Sequence, residues 1–294
     1  MPFTRRLMLA ASALIVTPLA LAGCSSLGTL NTVNNLTPGD GGTSREATDI
    51  AFGSDPRQML DIYKPENASG APVIVFFYGG SWNSGRRQDY AFAARALAAQ
   101  GFVVVVPDYR LVPQVRFPAF VEDGGAAVAW TAANIARHGG DPARIGVAGH
   151  SAGAYIALML ALDVRLLKAA GAPGAIKAAV GLAGPYDFLP FVPGGAADMA
   201  RGGQPDPNAT QPIAFASGTA PPVLLLNGDE DTTVLPRNAT RLADALKARG
   251  ASAEARIYPG IGHIGIILAI SKPFRGKAPA LADTTAFFKR TLAA

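Results

Sequence analysis

Arg144-Ile145-Gly146-Val147-Ala148, followed directly by Gly149-His150-Ser151-Ala152-Gly153, is the stretch on which the reading of this chain turns. The first five residues form a short run of strand type, and the apolar residues after Gly153 continue as a helix through about Leu162. A serine flanked by glycines two before and two after fits the G-x-S-x-G turn. The backbone at such a serine is strained, and the glycines let strand and helix approach without a Cβ clash. The helix that follows points its positive end at the place where an oxyanion would form. Taken alone the pattern arises by chance in glycine-rich chains. A strand before it and a helix after it single out Ser151 as a nucleophile.

Working outward, short apolar runs alternate with longer helix-like stretches. Ile50–Phe52 and Met59–Tyr63 read as an opening pair of strands. Val73–Phe77 and Phe102–Val106 are continuous β-branched and aromatic runs, the pattern of strands buried on both faces. Ala178–Leu182, Val223–Asn227 and Ala253–Tyr258 supply later strands. Helices are predicted at Arg87–Gln100, stopped by Gly101, and from Pro118 to about Arg137, with Glu122 and Asp123 near its positive end. Two more fall at about Arg237–Arg249 and Pro279–Leu292. This alternation implies one α/β domain over residues 45–294, with a mostly parallel sheet covered by helices on both faces. Phe188–Ala220, rich in Gly and Pro, interrupts it and is expected to form a loop or partial cap over the site.

Composition agrees with a globular domain. Of 294 residues 49% are apolar and 16% charged, which excludes global disorder. The formal charge of +5 is spread along the chain, whereas a nucleic-acid binder concentrates its basic residues, so no nucleic-acid partner is expected. There is no internal repeat, no H-E-x-x-H, no cysteine pair and no P-loop, so neither a metal nor an organic cofactor is expected.

A serine hydroxyl needs a base and an orienting acid. The chain has three histidines. His138 ends a helix, and His150 fills the variable slot of the G-x-S-x-G turn and packs beside it. His263, in the loop Pro259-Gly260-Ile261-Gly262-His263 after the last strand, is left as the base. The acid is expected between serine and histidine, after a late strand. Asn227-Gly228-Asp229-Glu230-Asp231 offers three carboxylates, of which Asp231 is the choice and Asp229 the runner-up.

The N-terminus reads as an address. Arg5 and Arg6 precede an apolar run, Leu7–Leu21, broken by Pro18 and too short to span a bilayer. Leu21-Ala22-Gly23-Cys24 resembles the bacterial lipobox, in which the cysteine becomes the lipidated first residue; an ordinary secretory signal is the alternative. Residues 1–23 are thus expected to be removed, with a membrane attachment through lipidated Cys24. Ser25 and Ser26 in the next positions favour the outer over the inner membrane by analogy with enterobacterial sorting. Residues 25–44, rich in Ser, Thr, Asn and Gly, are expected to be a flexible tether.

Tyr78-Gly79-Gly80-Ser81-Trp82, Asp108-Tyr109-Arg110, the G-x-S-x-G turn, Gly228-x-x-Asp231 and Gly262-His263 occur in this order. Together they resemble the α/β-hydrolase superfamily, in particular its hormone-sensitive-lipase-like and kynurenine-formamidase-like esterases, over about residues 55–292. The resemblance implies an α/β-hydrolase fold and hydrolysis of small-molecule carboxylic esters through an acyl-serine intermediate. Acyl transfer or (aryl)amide and formamide cleavage by the same residues are alternatives, with a non-catalytic binding lipoprotein a further one, and no oligomeric state is implied. The family's glycine before the triad acid supports Asp231. Its glycine-rich loop implies an oxyanion hole from the N–H groups of Gly80, Ser81 and Ala152, although Tyr78 and Ser81 replace a family histidine and glycine. Asp108-Tyr109-Arg110 is implied to be a bracing turn. Trp82, Tyr186, Phe188 and Phe191 are candidates for either pocket lining or core packing.

Overall fold

The computed structural model describes residues 25–293. The expected signal segment and Cys24 lie outside the described residues. The strands are β1 (Thr43–Ala51), β2 (Met59–Pro65), β3 (Ala71–Phe77), β4 (Val103–Pro107), β5 (Gly140–His150), β6 (Ile176–Leu182), β7 (Val223–Gly228) and β8 (Ala253–Tyr258). Among the helices, α1 is Ser25–Leu36, α2 Ala91–Ala98, α3 Ala119–Asn134, α4 Ala152–Leu162 and α5 Val164–Ala169. The rest are α6 (Ala196–Arg201), α7 (Arg237–Ala248), α8 (His263–Leu268) and α9 (Ala280–Thr291).

One sheet runs in the order β1-β2-β4-β3-β5-β6-β7-β8. β1 with β2 and β2 with β4 are antiparallel, and every later pairing is parallel. The central strands are apolar without alternation because both faces are covered: all of Val103–Val106 and Val223–Leu226 is buried. Two glycines of β5 display the layers. Gly146 and Gly149 are three residues apart and so point to opposite faces. A Cβ on Gly149 would lie 2.4 Å from Gly153 of α4, and one on Gly146 would lie 2.5 Å from the Phe288 ring of α9. Helix layers therefore sit on both faces of one strand, as an α/β-hydrolase fold requires.

Polar braces hold the edge of the sheet that carries the loops. Arg87 is buried among three carboxylates, donating to Asp61 at 2.8 Å and pairing with Asp108 and Asp49. Arg110 grips buried Asp123 through its guanidinium and its backbone N–H, both at 2.8 Å, and the Tyr109 hydroxyl donates to the Tyr78 carbonyl. Asp108-Tyr109-Arg110 is thus a brace. The interrupting segment Phe188–Ala220 contains α6 and 3-10 turns at Pro207–Thr210 and Pro212–Phe215.

The expected tether is a correction. Residues 25–36 form α1, which docks on the domain, and strand β1 already begins at Thr43. Leu30 and Asn34 are buried. The Asn31 amide donates to the carbonyls of Gln88 and Asp89, and its own carbonyl accepts the Phe92 N–H at 2.9 Å. The Asn34 carbonyl oxygen accepts the Lys272 N–H at 2.8 Å. Ser, Thr and Asn are weak helix formers, so the helix owes its existence to these tertiary bonds, which local composition does not display. Asn31→Ala should lower the denaturant midpoint, at a cost of about 1–3 kcal/mol for backbone groups left unsatisfied. An unchanged midpoint would restore the tether.

Candidate active site

Ser151 sits where β5 turns into α4, at φ 53 and ψ −120. Such a backbone costs about 1–3 kcal/mol and persists only where the surroundings over-determine it. Here they do. The Ser151 N–H donates to Leu182 of β6 at 2.9 Å, and its carbonyl accepts the Tyr155 N–H at 3.1 Å. A Cβ on Gly153 would lie 2.1 Å from the Phe77 carbonyl oxygen, so only glycine lets α4 settle against β3.

Three segments far apart in sequence converge on this turn. His263 Nε2 lies 2.9 Å from Ser151 Oγ, and His263 Nδ1 lies 2.8 Å from Asp231 Oδ2. Asp231 is buried, and its Oδ1 accepts the N–H groups of Thr233 and Val234 at 2.9 and 2.8 Å. Burial pushes its carboxyl up, but the bond to His263 and the backbone donors outweigh burial and hold it below its ordinary value. Asp229, the runner-up, instead accepts the Gly260 N–H at 2.7 Å, away from His263. Gly228 explains the Gly-x-x-Asp spacing: a Cβ there would lie 1.8 Å from the Ile261 carbonyl oxygen, blocking the approach of the acid and histidine loops. His263, expected in a loop, is the first residue of α8.

Gly80, Ser81, Ser84 and Gly85 face Ser151 and His263 across a cavity of about 220 Å³. Gly80, Ser81 and Trp82 all have positive φ, at 141, 52 and 59, a run that turns the loop sharply beside Ser151. The Gly80 carbonyl is occupied by the N–H of Ser84 and the Ser84 hydroxyl, both at 3.0 Å. Ala152 opens α4, whose N-terminus faces the same space. Tyr78, in the family's histidine position, is buried, stacks on Tyr109 at 4.6 Å, and its hydroxyl accepts from Arg57 at 2.7 Å. A larger hollow of about 640 Å³ between α3 and α5 is remote from Ser151 and holds no histidine.

The BD-FAE signature matches residues 60–246, more than half of the chain and including Ser151 and Asp231. The chain belongs to the BD-FAE family. It is 31% identical over 258 residues to an isoprenylcysteine alpha-carbonyl methylesterase of Arabidopsis thaliana, covering 80% of this chain and 60% of that protein. It is also 31% identical over 236 residues to esterase LipC of Mycobacterium tuberculosis, covering 73% and 58%. The chain thus spans about three fifths of the length of these relatives. Among solved structures, an esterase of Pyrobaculum calidifontis superposes with a TM-score of 0.72 at 26% identity, covering 92% of each chain.

Two residues of this BD-FAE site carry more than their sequence context suggests. His150, expected only to pack beside the turn, is fully enclosed. Its Nδ1 lies 2.9 Å from the Tyr90 hydroxyl and its Nε2 lies 3.1 Å from the His263 carbonyl oxygen. A carbonyl only accepts, so Nε2 carries the proton and Tyr90 donates to Nδ1. His150 thereby ties the backbone of His263 to the turn at Ser151. Burial, aided by neighbouring His263, pushes its pKa down to about 3 from an ordinary 6.5.

Arg201, the last residue of α6, was not singled out by any sequence motif. Its guanidinium is fully buried, 3.6 Å from the Trp82 ring centre and 3.9 Å from that of Tyr155. Trp82 and Phe188 are therefore parts of an aromatic box, and Phe191 stands 5.9 Å from Phe188. Tyr186 lies in the core against Gly181 and Gly184. A buried cation over aromatic faces gains about 2 kcal/mol per good contact, short of what desolvation of an ion costs.

His150 makes stability depend on pH. The folded state keeps it neutral down to about pH 3, whereas the unfolded chain protonates it near 6.5. Its contribution is complete above 6.5 and is lost as pH falls toward 3, with a slope approaching about 1.4 kcal/mol per pH unit. Urea midpoints at about pH 7 and about pH 5 should reveal this loss, and His150→Gln should lose less across the same interval. Equal losses would show that His150 is not its source.

Proposed function

We propose that this protein is a serine carboxylesterase with Ser151 as nucleophile, His263 as base and Asp231 as orienting acid. The observation that carries the reading is the unbroken chain from Asp231 to His263 to Ser151, at 2.8 and 2.9 Å, ending at a cavity. The names of the relatives, methylesterase and esterase, support carboxylic esters as the substrate class. His263 Nε2 takes the Ser151 proton as Oγ attacks the ester carbonyl. The N–H groups of Gly80, Ser81 and Ala152 stabilise the resulting oxyanion. Asp231, held ionised by its donors, fixes the proton on His263 Nδ1 and stabilises the imidazolium. His263 then protonates the leaving alcohol, and water attacks the acyl-serine by the same route to free the acid.

We also infer that the protein is exported and anchored in the cell envelope through Cys24, the outer membrane being favoured, on the strength of the signal-like run and lipobox-like quartet. Mass spectrometry of the membrane fraction should find acylated Cys24 as the first residue, and Cys24→Ser should abolish acylation. A mature protein starting elsewhere would overturn the anchor.

Hydrolysis of p-nitrophenyl esters from acetate to decanoate tests the chemistry. Ser151→Ala should remove turnover and fluorophosphonate labelling, while Asp231→Asn should lower kcat by about 10⁴-fold through the wrong histidine tautomer. Full activity in folded Ser151→Ala would sink the assignment.

A further inference from the structure

The surroundings of Arg201 leave its charge unmet. None of its three guanidinium nitrogens has a hydrogen-bond partner, and no carboxylate pairs with it among the described residues. Trp82 and Tyr155 sandwich it, with Phe188 at 5.2 Å and Phe120 at 5.6 Å. The one hydroxyl in this box, that of Tyr155, donates to the Thr210 carbonyl at 2.8 Å; its oxygen is the polar group nearest the guanidinium, and burial keeps the phenol neutral, so it brings no counter-charge. A guanidinium brings five donors. A leucine or methionine would fill this space without leaving donors and a charge uncompensated, so packing alone does not account for an arginine.

The box adjoins the ester site. Trp82 follows Ser81, which lines the cavity with Ser151 and His263. Tyr155 is one helical turn beyond Ser151, whose carbonyl its N–H bonds. The segment that carries Arg201 is flanked by glycine pairs: α6 is bounded by Gly194-Gly195 and Gly202-Gly203, with Gly194 and Gly203 at φ 72 and 82. It is tied to the body by the Phe117 N–H to the Ala200 carbonyl and by the Gln204 amide to the Phe117 carbonyl.

We propose that Arg201 is a specificity-determining residue that pairs with a carboxylate carried by the ester substrate. The proposal rests on the esterase reading above and adds a substrate class to it: esters bearing a free carboxylate on the portion that enters the aromatic box. A carboxylate is the planar anion whose two oxygens match a guanidinium fork, and in so dry a setting the pair discriminates strongly against a neutral isostere. α6 moves to admit the substrate and closes with the pair formed.

The test compares matched esters by kcat/KM at low ionic strength. Monoethyl glutarate carries the carboxylate on the acyl side, and acetoxyacetate carries it on the alcohol side. Each is set against the neutral ester in which two methyl groups stand for the carboxylate oxygens. Wild type should favour the charged member of at least one pair by about tenfold or more. Arg201→Met should erase that preference while still cleaving the neutral esters, and Arg201→Lys should restore part of it. A wild type that prefers the neutral ester in both pairs, or an Arg201→Met variant that keeps the preference, overturns the proposal.

Calorimetric titration of glutarate and glycolate, the acids these esters release, needs neither turnover nor a variant. Saturable binding of one of them by wild type, weakened by added salt, supports the carboxylate site, and no binding of either overturns it. Hydrolysis of p-nitrophenyl acetate by wild type, absent in Ser151→Ala, reports separately on the esterase reading. Its failure alongside saturable binding of glutarate or glycolate would sink that reading and leave the carboxylate site standing.

Discussion

The backbone at Ser151 is held in an unfavourable region by the closeness of two glycines. Gly149 lies so near Gly153 that a Cβ on it would meet the Gly153 carbonyl carbon at 2.4 Å, and Gly153 itself presses on the carbonyl of Phe77. That approach lets α4 start directly where β5 ends, so the hydroxyl projects from the sheet edge with a helix N-terminus behind it. The remaining site geometry is built against this point. The Gly80–Trp82 loop leaves β3, the strand on one side of β5, and the Leu182 carbonyl that holds the Ser151 N–H lies at the end of β6 on the other.

The acid and the histidine reach the serine by a similar close approach. Gly228 has no room for a side chain because the Ile261 carbonyl occupies it, and this contact brings the loops after β7 and β8 together. Asp231 is then oriented by backbone donors from Thr233 and Val234. His150 closes the circuit by bonding the His263 carbonyl. Asp231 and His150, both buried, hold His263 from its side chain and its backbone, so the histidine is fixed from two sides.

Arg201 is the exception to that economy. Arg87, equally buried, is met by Asp61, Asp108 and Asp49, and the sheet edge gains a brace. Among the described residues Arg201 meets aromatic faces and the neutral Tyr155 hydroxyl. Two buried arginines in one domain thus differ: one is met by three carboxylates, the other by none among the described residues.

Much of this was legible in the sequence because it depends on local periodicity and on turn chemistry. β8 falls at the expected Ala253–Tyr258, and the buried runs of β3, β4 and β7 appear as unbroken apolar segments. Ser151 and His263 were identifiable from a turn motif and from the scarcity of histidines. The order of strands, the tautomer of His150 and the box around Arg201 were not, and the choice of Asp231 over Asp229 leaned on the family's Gly-x-x-Asp pattern rather than on spacing. Each depends on which distant segments touch, and nothing within a window of ten residues encodes that. The docking of α1 shows the same limit, since a polar stretch with weak helix propensity becomes ordered through bonds to Gln88, Asp89, Phe92 and Lys272. The fold class and the glycine-flanked serine turn could be read from the residues alone, because burial pattern and glycine placement are local. Which carboxylate touches His263, which nitrogen of His150 carries the proton and how Arg201 is enclosed came from the fold, because those follow from packing across the sheet.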